Sequence, residues 1–146
     1  MMGRKSMSLK MTKQEISVLF DELFPQIKGE FTIQELGENT VTMRMNIGDR
    51  HLRPGGTVSG PSMFALADVT VYAMILGMIG PLAMSVTTSC SLDFMRKPVA
   101  HADLIAKGQL LKLGRALAVG DVLLYSEGLD KPVARATMTY SIPPEA

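Results

Sequence analysis

The chain has 146 residues, which fits a single domain spanning residues 1–146. Apolar residues make up 47% of it and charged residues 20%, which excludes a disordered chain, and a formal net charge of +1 argues against a dedicated nucleic-acid binder. One cysteine excludes an intramolecular disulfide, and two histidines outside any His/Cys cluster argue against a metal site. No secretory signal is recognisable, so we expect a cytoplasmic protein without a metal or redox cofactor.

The beginning of the chain is predicted to form one helix and two strands. Thr12 and Glu15 form a capping-box pattern at the start of the helix, after a segment, residues 1–11, that we expect to be flexible. Apolar residues then recur with helical spacing until Pro25 ends the helix. The apolar stripe consists of Ile16, Leu19, Phe20 and Leu23. The two strands span Phe31–Leu36 and Thr40–Asn46.

The most apolar part of the sequence is predicted to be a buried helix, Pro61–Met78. It follows a loop rich in glycine and polar residues, Asp49–Gly60, and proline is favourable in the first turn of a helix. The length and composition also suit a membrane span, but Asp68 would cost roughly 2.5–3.5 kcal/mol near a bilayer centre. The amphipathic strands elsewhere need a helix to cover them. We therefore predict a core helix and no membrane association.

The rest of the chain is predicted to be four strands in a meander. In the first of these strands alternate residues from Met84 to Phe94 form an apolar side, and Cys90, on that side, is expected in the core. The pattern is typical of an α+β fold in which an antiparallel sheet wraps around a long buried helix. Because one sheet covers only part of such a helix, we expect a dimer or a dimer of dimers. The four strands span Met84–Phe94, Ala102–Leu113, Arg115–Tyr125 and Val133–Ser141.

Asp68 in the buried helix and Gly60 just before it need a chemical explanation. Asp68 stands alone among apolar residues, and a buried carboxylate must be paired, protonated or placed at a polar cleft. A structural role, with Ser62, Thr70 or a loop amide as partner, and a functional role are both open. At the helix start the N–H of Gly60 points out with the positive end of the dipole, which suits a carbonyl oxygen or an oxyanion. The glycines of this loop equally suit a tight turn.

The spacing of these two residues constrains how they cooperate. Gly60 and Asp68 are eight helical positions apart, which corresponds to about 12 Å along the axis. One small reacting group cannot contact both on the same chain. If they act together, Asp68 must come from a partner subunit whose helix runs antiparallel, and the site lies across the dimer interface.

Three motifs give the sequence a family resemblance. They are HLRPGGTVSGPSMFALAD, the strand end DFMRKP, and LGRALAVGDV together with VARATMTYSIP. From about Thr12 to Pro143 the chain resembles the hotdog-fold acyl-CoA thioesterases, and the most similar branch is the phenylacetate-degradation (PaaI-like) type. The resemblance implies a hotdog fold and hydrolysis of an acyl-CoA thioester to a free acid and CoA. Coenzyme A is then part of the substrate rather than a cofactor.

The resemblance also implies roles for particular residues. Asp68 falls at the catalytic carboxylate of the family motif, and Gly60 falls at its oxyanion-hole glycine. Arg53 stands where the family usually has Asn, and Ser59 replaces a motif His. Arg115, which follows a turn glycine, is the best candidate for a phosphate contact. The substrate-binding candidates are His51, Arg53, Gly56, Ser59, Thr87, Thr88 and Arg115.

Several alternatives are compatible with the sequence. The departures at Arg53 and Ser59 motivate a second function, a non-catalytic acyl-CoA or acyl-carrier binding protein on the same fold. Arg53 is able to bind a carboxylate or phosphate of the ligand, or to pair with Asp68. Asp68 acts either as general base on water or as a nucleophile that forms an anhydride. A medium-chain, aryl or branched acyl group fits equally. A hydratase or dehydratase of the same fold would require a His–Asp or His–Glu pair on the loop and helix. Ser59 stands at the position of the motif histidine, so this chain lacks the expected histidine there.

Overall fold

The computed structural model describes residues 8–81 and 84–144. These residues form one six-stranded antiparallel sheet, with a long helix packed against one face. The α+β architecture predicted from the sequence is thus confirmed. Short 3-10 helices occur at Pro25–Ile27 and Asp49–His51. The main elements are α1 (Lys13–Leu23), β1 (Phe31–Gly37), β2 (Thr40–Met45), α2 (Gly60–Ile79), β3 (Val86–Phe94), β4 (Leu104–Leu113), β5 (Leu117–Ser126) and β6 (Ala134–Ser141).

The first helix begins with the capping box that the sequence predicts. Thr12 Oγ1 accepts the N–H of Glu15 over 3.1 Å, and the Glu15 carboxylate accepts the N–H of Thr12 over 2.9 Å. Upstream of this cap, Leu9 and Met11 pack against the core, and the Lys10 N–H donates to a backbone carbonyl of α2. Leu9 and Met11 therefore contact the core, the flexibility expected for residues 1–11 stays a prediction, and residues 1–7 lie outside the described residues.

Helix α2 forms the centre of the core, as predicted. It begins at Gly60 behind the N-cap Ser59 and is buried along its second half. By length and composition alone it would suit a membrane span, but 67% of its most apolar stretch is buried inside the fold. Its first half keeps one side open, where Phe64 is 38% exposed and Asp68 is half-buried. The helix is therefore buried on all sides only beyond its first turns, which corrects the expectation of burial throughout.

The strand order differs from the predicted four-strand meander. The sheet runs β1-β2-β4-β5-β6-β3, so only β4, β5 and β6 form a meander. Strand β3 pairs with β6 at one edge of the sheet, and β4 pairs with β2. The reason lies in the connections, since three residues join β4 to β5 and seven residues join β5 to β6. The nine residues from β3 to β4 contain Pro98, and they cross past β6 and β5 so that β4 pairs with β5 and β2.

Strand β3 is an edge strand with a β-bulge. Its pairing with β6 shifts between Thr87 and Ser89, so one extra residue is inserted there. Thr87 pairs with Tyr140 and Cys90 pairs with Met138, two residues that share the buried face of β6. The bulge thus places Thr87, not Thr88, on the side of Cys90, which corrects the predicted alternation. Cys90 is exposed rather than in the core, because the open edge of the sheet leaves it uncovered.

Two glycines let α2 approach the sheet closely. A Cβ atom on Gly108 of β4 would lie 2.8 Å from both Met74 Cε and Thr70 Cγ2. On the neighbouring strand, a Cβ atom on Gly120 would lie 3.2 Å from the methyl groups of Val71. The helix therefore rests almost directly on the backbone of β4 and β5. This close contact fixes the height of α2 above the sheet, and with it the position of Asp68.

We expect Gly108→Ala to lower the free energy of unfolding by about 1–3 kcal/mol, because the added methyl group overpacks the contact with Thr70. Urea denaturation at equilibrium measures the change. The matched control is Gly114→Ala in the turn after β4, where a Cβ atom would meet nothing nearer than 3.4 Å. Equal unfolding midpoints for the two variants would contradict the prediction, since α2 would then move away from the sheet without cost.

Candidate active site

The carboxylate of Asp68 is held by hydroxyl groups from two neighbouring strands. Thr87 Oγ1, at the bulge of β3, donates to Asp68 Oδ1 over 2.6 Å. The hydroxyl group of Tyr140 on β6 donates to the same oxygen over 2.8 Å, and it lies 3.2 Å from the backbone carbonyl of Asp68. Among the described residues no donor bonds Oδ2. The carboxylate is therefore oriented through one oxygen and keeps the other for a ligand.

Tyr140 is a site residue that the sequence analysis missed. Burial, and then the negative charge of Asp68, raise the pKa of Tyr140 well above its usual value. Its hydroxyl group therefore stays protonated and donates to the carboxylate at neutral pH. One signal was available, because a tyrosine on the buried face of a strand needs a hydrogen-bond partner for its hydroxyl group. Asp68 is the lone acid of the apolar helix that the same strand faces.

The other expected partners of Asp68 are engaged elsewhere. The Thr70 hydroxyl donates to the carbonyl of Leu66 over 2.6 Å. The Ser62 hydroxyl accepts a hydrogen bond from the hydroxyl of Ser59, the N-cap of α2, over 3.0 Å. The pair between Arg53 and Asp68, one of the alternatives that the sequence left open, is not formed within residues 8–81 and 84–144, and Arg53 lines the same cavity as Gly60. The hydrogen-bond partners of Asp68 are therefore the two hydroxyl groups of β3 and β6, and not the residues expected from the sequence.

Asp68 faces a cavity of about 360 Å³ rather than a sealed core. Aromatic and aliphatic side chains form most of its wall, and hydroxyl groups are grouped near the carboxylate. Apolar pockets with a few convergent polar groups are typical of small-molecule sites. The lining residues are Phe24, Ile27, Asp68, Val69, Tyr72, Ser85, Val86, Thr87 and Tyr140.

A free backbone N–H lies at the start of α2. Ser59 is the N-cap, and its side chain and carbonyl accept the N–H groups of Ser62 and Met63 over 3.3 and 3.1 Å. Pro61 carries no N–H. The N–H of Gly60 has no acceptor among the described residues. One donor is therefore left at the positive end of the helix dipole, which is the position suited to a carbonyl oxygen or an oxyanion.

Gly60 opens into a second, cationic cavity of about 700 Å³. A Cβ atom at Gly60 would lie 3.3 Å from the ring of Phe94, so the glycine allows the strand end to close over the helix start. Arg53, Arg96 and Lys97 line the cavity, and its described wall contains no acidic side chain. Such a cavity suits an anionic ligand, because guanidinium and ammonium groups form charge-assisted hydrogen bonds with phosphate oxygens.

Three of the predicted binding residues organise the loop before α2. His51 is buried; its Nδ1 accepts the Gly48 N–H over 2.8 Å, and its Nε2 donates to Glu30 over 2.5 Å. Gly56 has a φ of +80°, and its N–H donates to the Arg53 carbonyl, as in a tight turn. Ser59 caps the helix. None of the three lines either cavity described above, so their roles in substrate binding remain predictions.

The remaining candidates separate into near and distant positions. Thr87 contacts Asp68, whereas the hydroxyl of Thr88 donates to a backbone carbonyl of β6 over 3.3 Å. Arg115 is exposed in the turn between β4 and β5. The pairing of β5 with β6 and of β6 with β3 places this turn near the Val86 end of β3, away from Gly60. A phosphate contact of Arg115 therefore remains a prediction, while Arg96 and Lys97 lie beside Gly60.

The two candidate groups, Gly60 and Asp68, lie at separate places in a single chain. Gly60 lies at the Phe94 end of β3, and Asp68 lies at the Thr87 end. The two residues line different cavities, as the predicted separation along the helix requires. Among the described residues, no group of three or more His, Cys, Asp or Glu side chains is placed to hold a metal ion. The groups that the two cavities offer to a ligand are the Asp68 carboxylate, hydroxyl groups, the free backbone N–H of Gly60, and cationic side chains.

Comparisons with known proteins identify the family and similar structures. Residues 55–133 match the family model of the thioesterase superfamily. The chain is similar to a candidate thioesterase from Silicibacter sp. TM1040, with 61% identity over 96% of this chain and 97% of that one, and a TM-score of 0.90. It is also similar to a mutant of the phenylacetic acid degradation protein PaaI from Thermus thermophilus, with 28% identity over 82% and 99% of the two chains and a TM-score of 0.70.

A third structure resembles the chain in fold. It is a hypothetical thioesterase protein from Streptococcus pneumoniae, crystallised with coenzyme A, with 21% identity over 79% of this chain and 87% of that one. The TM-score is 0.68. Among curated proteins no match to the chain was found. The hotdog architecture expected from the sequence is shared with these structures.

Proposed function

The chain belongs to the thioesterase superfamily and is a thioester hydrolase, and we propose that it hydrolyses acyl-CoA thioesters with Asp68 and with Gly60 of the partner subunit. The observation that carries this proposal is the placement of Asp68. Its carboxylate is held by Thr87 and Tyr140, keeps one oxygen free, and faces a cavity. A carboxylate in this arrangement is suited to activating a water molecule.

The open edge of β3 supports a site shared between subunits. Val86 and Phe94, near its two ends, are more than half exposed, and Phe64 on the neighbouring side of α2 is also exposed. An apolar open edge favours pairing with a second copy. Antiparallel pairing of β3 with its own copy, centred near Cys90, brings the Phe94 end of one strand to the Thr87 end of the other. The Gly60 cavity of each subunit then adjoins the partner's Asp68.

The cations around Gly60 support coenzyme A as the thiol part of the substrate. Arg53, Arg96 and Lys97 supply positive charge in a cavity large enough for part of a nucleotide, and phosphates are their natural ligands. The similar Streptococcus protein was crystallised with coenzyme A. Arg115 lies at the Asp68 end of β3 and is a second candidate for a phosphate. The free Cys90 fits the reducing cytoplasm, which we propose as the location.

The proposed reaction begins with the thioester carbonyl against the free N–H of Gly60 of the partner subunit. A water molecule attacks the carbonyl carbon, and Asp68 Oδ2 takes its proton. The negative charge that develops on the carbonyl oxygen is stabilised by the N–H and the helix dipole. The C–S bond then breaks, and the departing thiolate takes the proton from Asp68. The products are the free acid and CoA, and the protein returns to its initial state.

Direct attack by Asp68 is the competing route, and it forms a mixed anhydride. A single turnover in H₂¹⁸O with excess enzyme distinguishes the two. In the general-base route the label enters the acid product during this first turnover. In the anhydride route, water attack on the Asp68 carbonyl puts the label into the protein, where mass spectrometry of the peptide detects it. Water attack on the acyl carbonyl labels the acid instead, and hydroxylamine then identifies the route by trapping the anhydride as an Asp68 or acyl hydroxamate.

We expect Asp68→Asn to lower kcat/KM by about 10²- to 10⁴-fold, because the amide is similar in shape but cannot take a proton from water. Thr87→Val should lower it by less, since the carboxylate remains but loses one of its two donors. Thr88→Val is the matched control, because that hydroxyl bonds only backbone. Release of CoA thiol measures the rates, and thermal unfolding checks the fold. Full activity of Asp68→Asn would refute the proposal, and binding without turnover in the wild type would favour the acyl-CoA binding alternative.

The role of the Gly60 N–H is tested by two substitutions at one position. Gly60→Pro removes the N–H and suits the first turn of a helix, and Ser59 already has the extended conformation that precedes proline, with ψ 155°. Gly60→Ala keeps the N–H but adds a methyl group against Phe94. We expect the proline variant to be about 10²- to 10³-fold slower than the alanine variant in kcat. Equal rates would show that this amide does not stabilise the transition state.

The shared site is tested by mixing two inactive chains. A heterodimer of a Gly60→Pro chain and an Asp68→Asn chain contains one doubly altered site and one intact site. We therefore expect about half of the wild-type activity per dimer, although each homodimer is nearly inactive. Co-expression with two affinity tags and sequential purification yields the heterodimer. An inactive heterodimer, or a monomeric wild-type protein, would overturn the shared site.

A further inference from the structure

A buried histidine–carboxylate pair lies outside the walls of both cavities and takes no part in the proposed reaction. His51, in the short helix before α2, is buried, and its Nε2 donates to Glu30 Oε1 over 2.5 Å. The Glu30 side chain is only 12% exposed, and Arg50 pairs with its other oxygen. A buried charge is a poor source of stability, because desolvation offsets much of the attraction between the partners. Such a pair is better suited to fixing the position of a segment than to adding stability.

Both ring nitrogens of His51 are engaged, which fixes the ring. Nδ1 accepts the N–H of Gly48 over 2.8 Å, so the ring proton lies on Nε2 and points to Glu30. Glu30 in turn immediately precedes β1, and its carbonyl accepts the N–H of Asn46, the residue after β2, over 2.8 Å. The side chain of Glu30 thus ties the segment before α2 to the sheet, and neither ring nitrogen is left for a substrate.

A direct path of hydrogen bonds leads from His51 to the start of α2. The carbonyl of His51 accepts the N–H of Ser59 over 2.8 Å, and this contact closes the loop. An antiparallel bridge between Leu52 and Val58 joins the two arms of the loop beside it. Ser59 is the N-cap of α2, and its peptide bond to Gly60 carries the free N–H. One hydrogen bond and one residue therefore separate His51 from that N–H, so a shift of His51 is passed on to the peptide group of Gly60.

We propose that Glu30 and His51 are positioning residues that hold the N–H of Gly60 where the thioester carbonyl needs it, and that neither touches the substrate. This assignment rests on the proposed function, since it takes that N–H as the oxyanion donor. His51, expected from the sequence to bind substrate, acts instead through its backbone. A preorganised donor stabilises the transition state because it needs no reorganisation during the reaction, and displacement of a catalytic group by about 1 Å costs up to about 10²-fold in rate.

Removal of the Glu30 carboxylate should slow the reaction without weakening substrate binding. We expect Glu30→Ala to lower kcat about 10-fold for the fastest of acetyl-, hexanoyl- and phenylacetyl-CoA, with KM nearly unchanged, since the donor is displaced but both cavities keep their walls. Glu30→Gln should retain most of the rate, because its amide oxygen still accepts the Nε2 proton. His51→Asn keeps an acceptor for Gly48 but is too short to reach Glu30, so it should match Glu30→Ala. The control is Glu35→Ala, which removes an exposed carboxylate from β1 and should keep the wild-type rate.

A second substitution identifies the atom through which Glu30 acts. Gly60→Pro removes the N–H, whereas Gly60→Ala keeps it. A positioning effect needs that N–H, so Glu30→Ala should lower kcat about 10-fold in the Gly60→Ala chain and less than about 2-fold in the Gly60→Pro chain. General support of the fold would lower kcat by the same factor in both chains. Release of CoA thiol measures the rates, and thermal unfolding shows that each compared variant is folded.

The outcomes separate the positioning role from the proposed function. Equal factors in the Gly60→Ala and Gly60→Pro chains would overturn the positioning role, and so would full kcat in Glu30→Ala and His51→Asn. A loss confined to KM would overturn it as well, because the pair would then contribute to substrate binding. Absence of hydrolysis by the wild type, or equal rates of Gly60→Pro and Gly60→Ala, would refute the proposed function itself, and with it the positioning role.

Discussion

The structure depends on how one carboxylate is accommodated in an apolar helix. A cation beside Asp68 would satisfy its charge but would also occupy it, whereas Thr87 and Tyr140 orient it with neutral donors on a single oxygen. This solution needs a bulge that turns Thr87 inward, a tyrosine on the buried face of β6, and an α2 that rests directly on Gly108. The second oxygen is left to face a cavity. In the proposed mechanism, the contacts that accommodate Asp68 in the fold also prepare it for the reaction.

The two ends of β3 lie beside different groups. The Thr87 end carries the acid and an apolar cavity, and the Phe94 end carries the free amide of Gly60 and three cations. An acyl-CoA molecule has the same division, with an apolar acyl group, a thioester and a phosphate-rich tail. The match between the polarity of the molecule and that of the two cavities supports a substrate that extends from one subunit to the next. The edge of β3 lies between them.

Local sequence patterns predicted the elements well and their long-range pairing poorly. The capping box of α1, the extent of α2 and the separation of Gly60 from Asp68 follow from helical geometry, which depends on neighbouring residues only. The pairing of β3 with β6 is non-local, and nothing in the alternation of Met84 to Phe94 reveals the extra residue at the bulge. For that reason Cys90 was placed in the core, and Tyr140 was not recognised as the partner of Asp68.

The open edge of β3 has a consequence for when such a protein can act. If each pair of reacting groups is assembled from two polypeptides, the fraction of competent sites follows the law of mass action and rises with the amount of protein. Newly made chains at low abundance would be inert until they meet a second copy. Supply of the polypeptide, and not only supply of thioester, would then set a threshold for turnover.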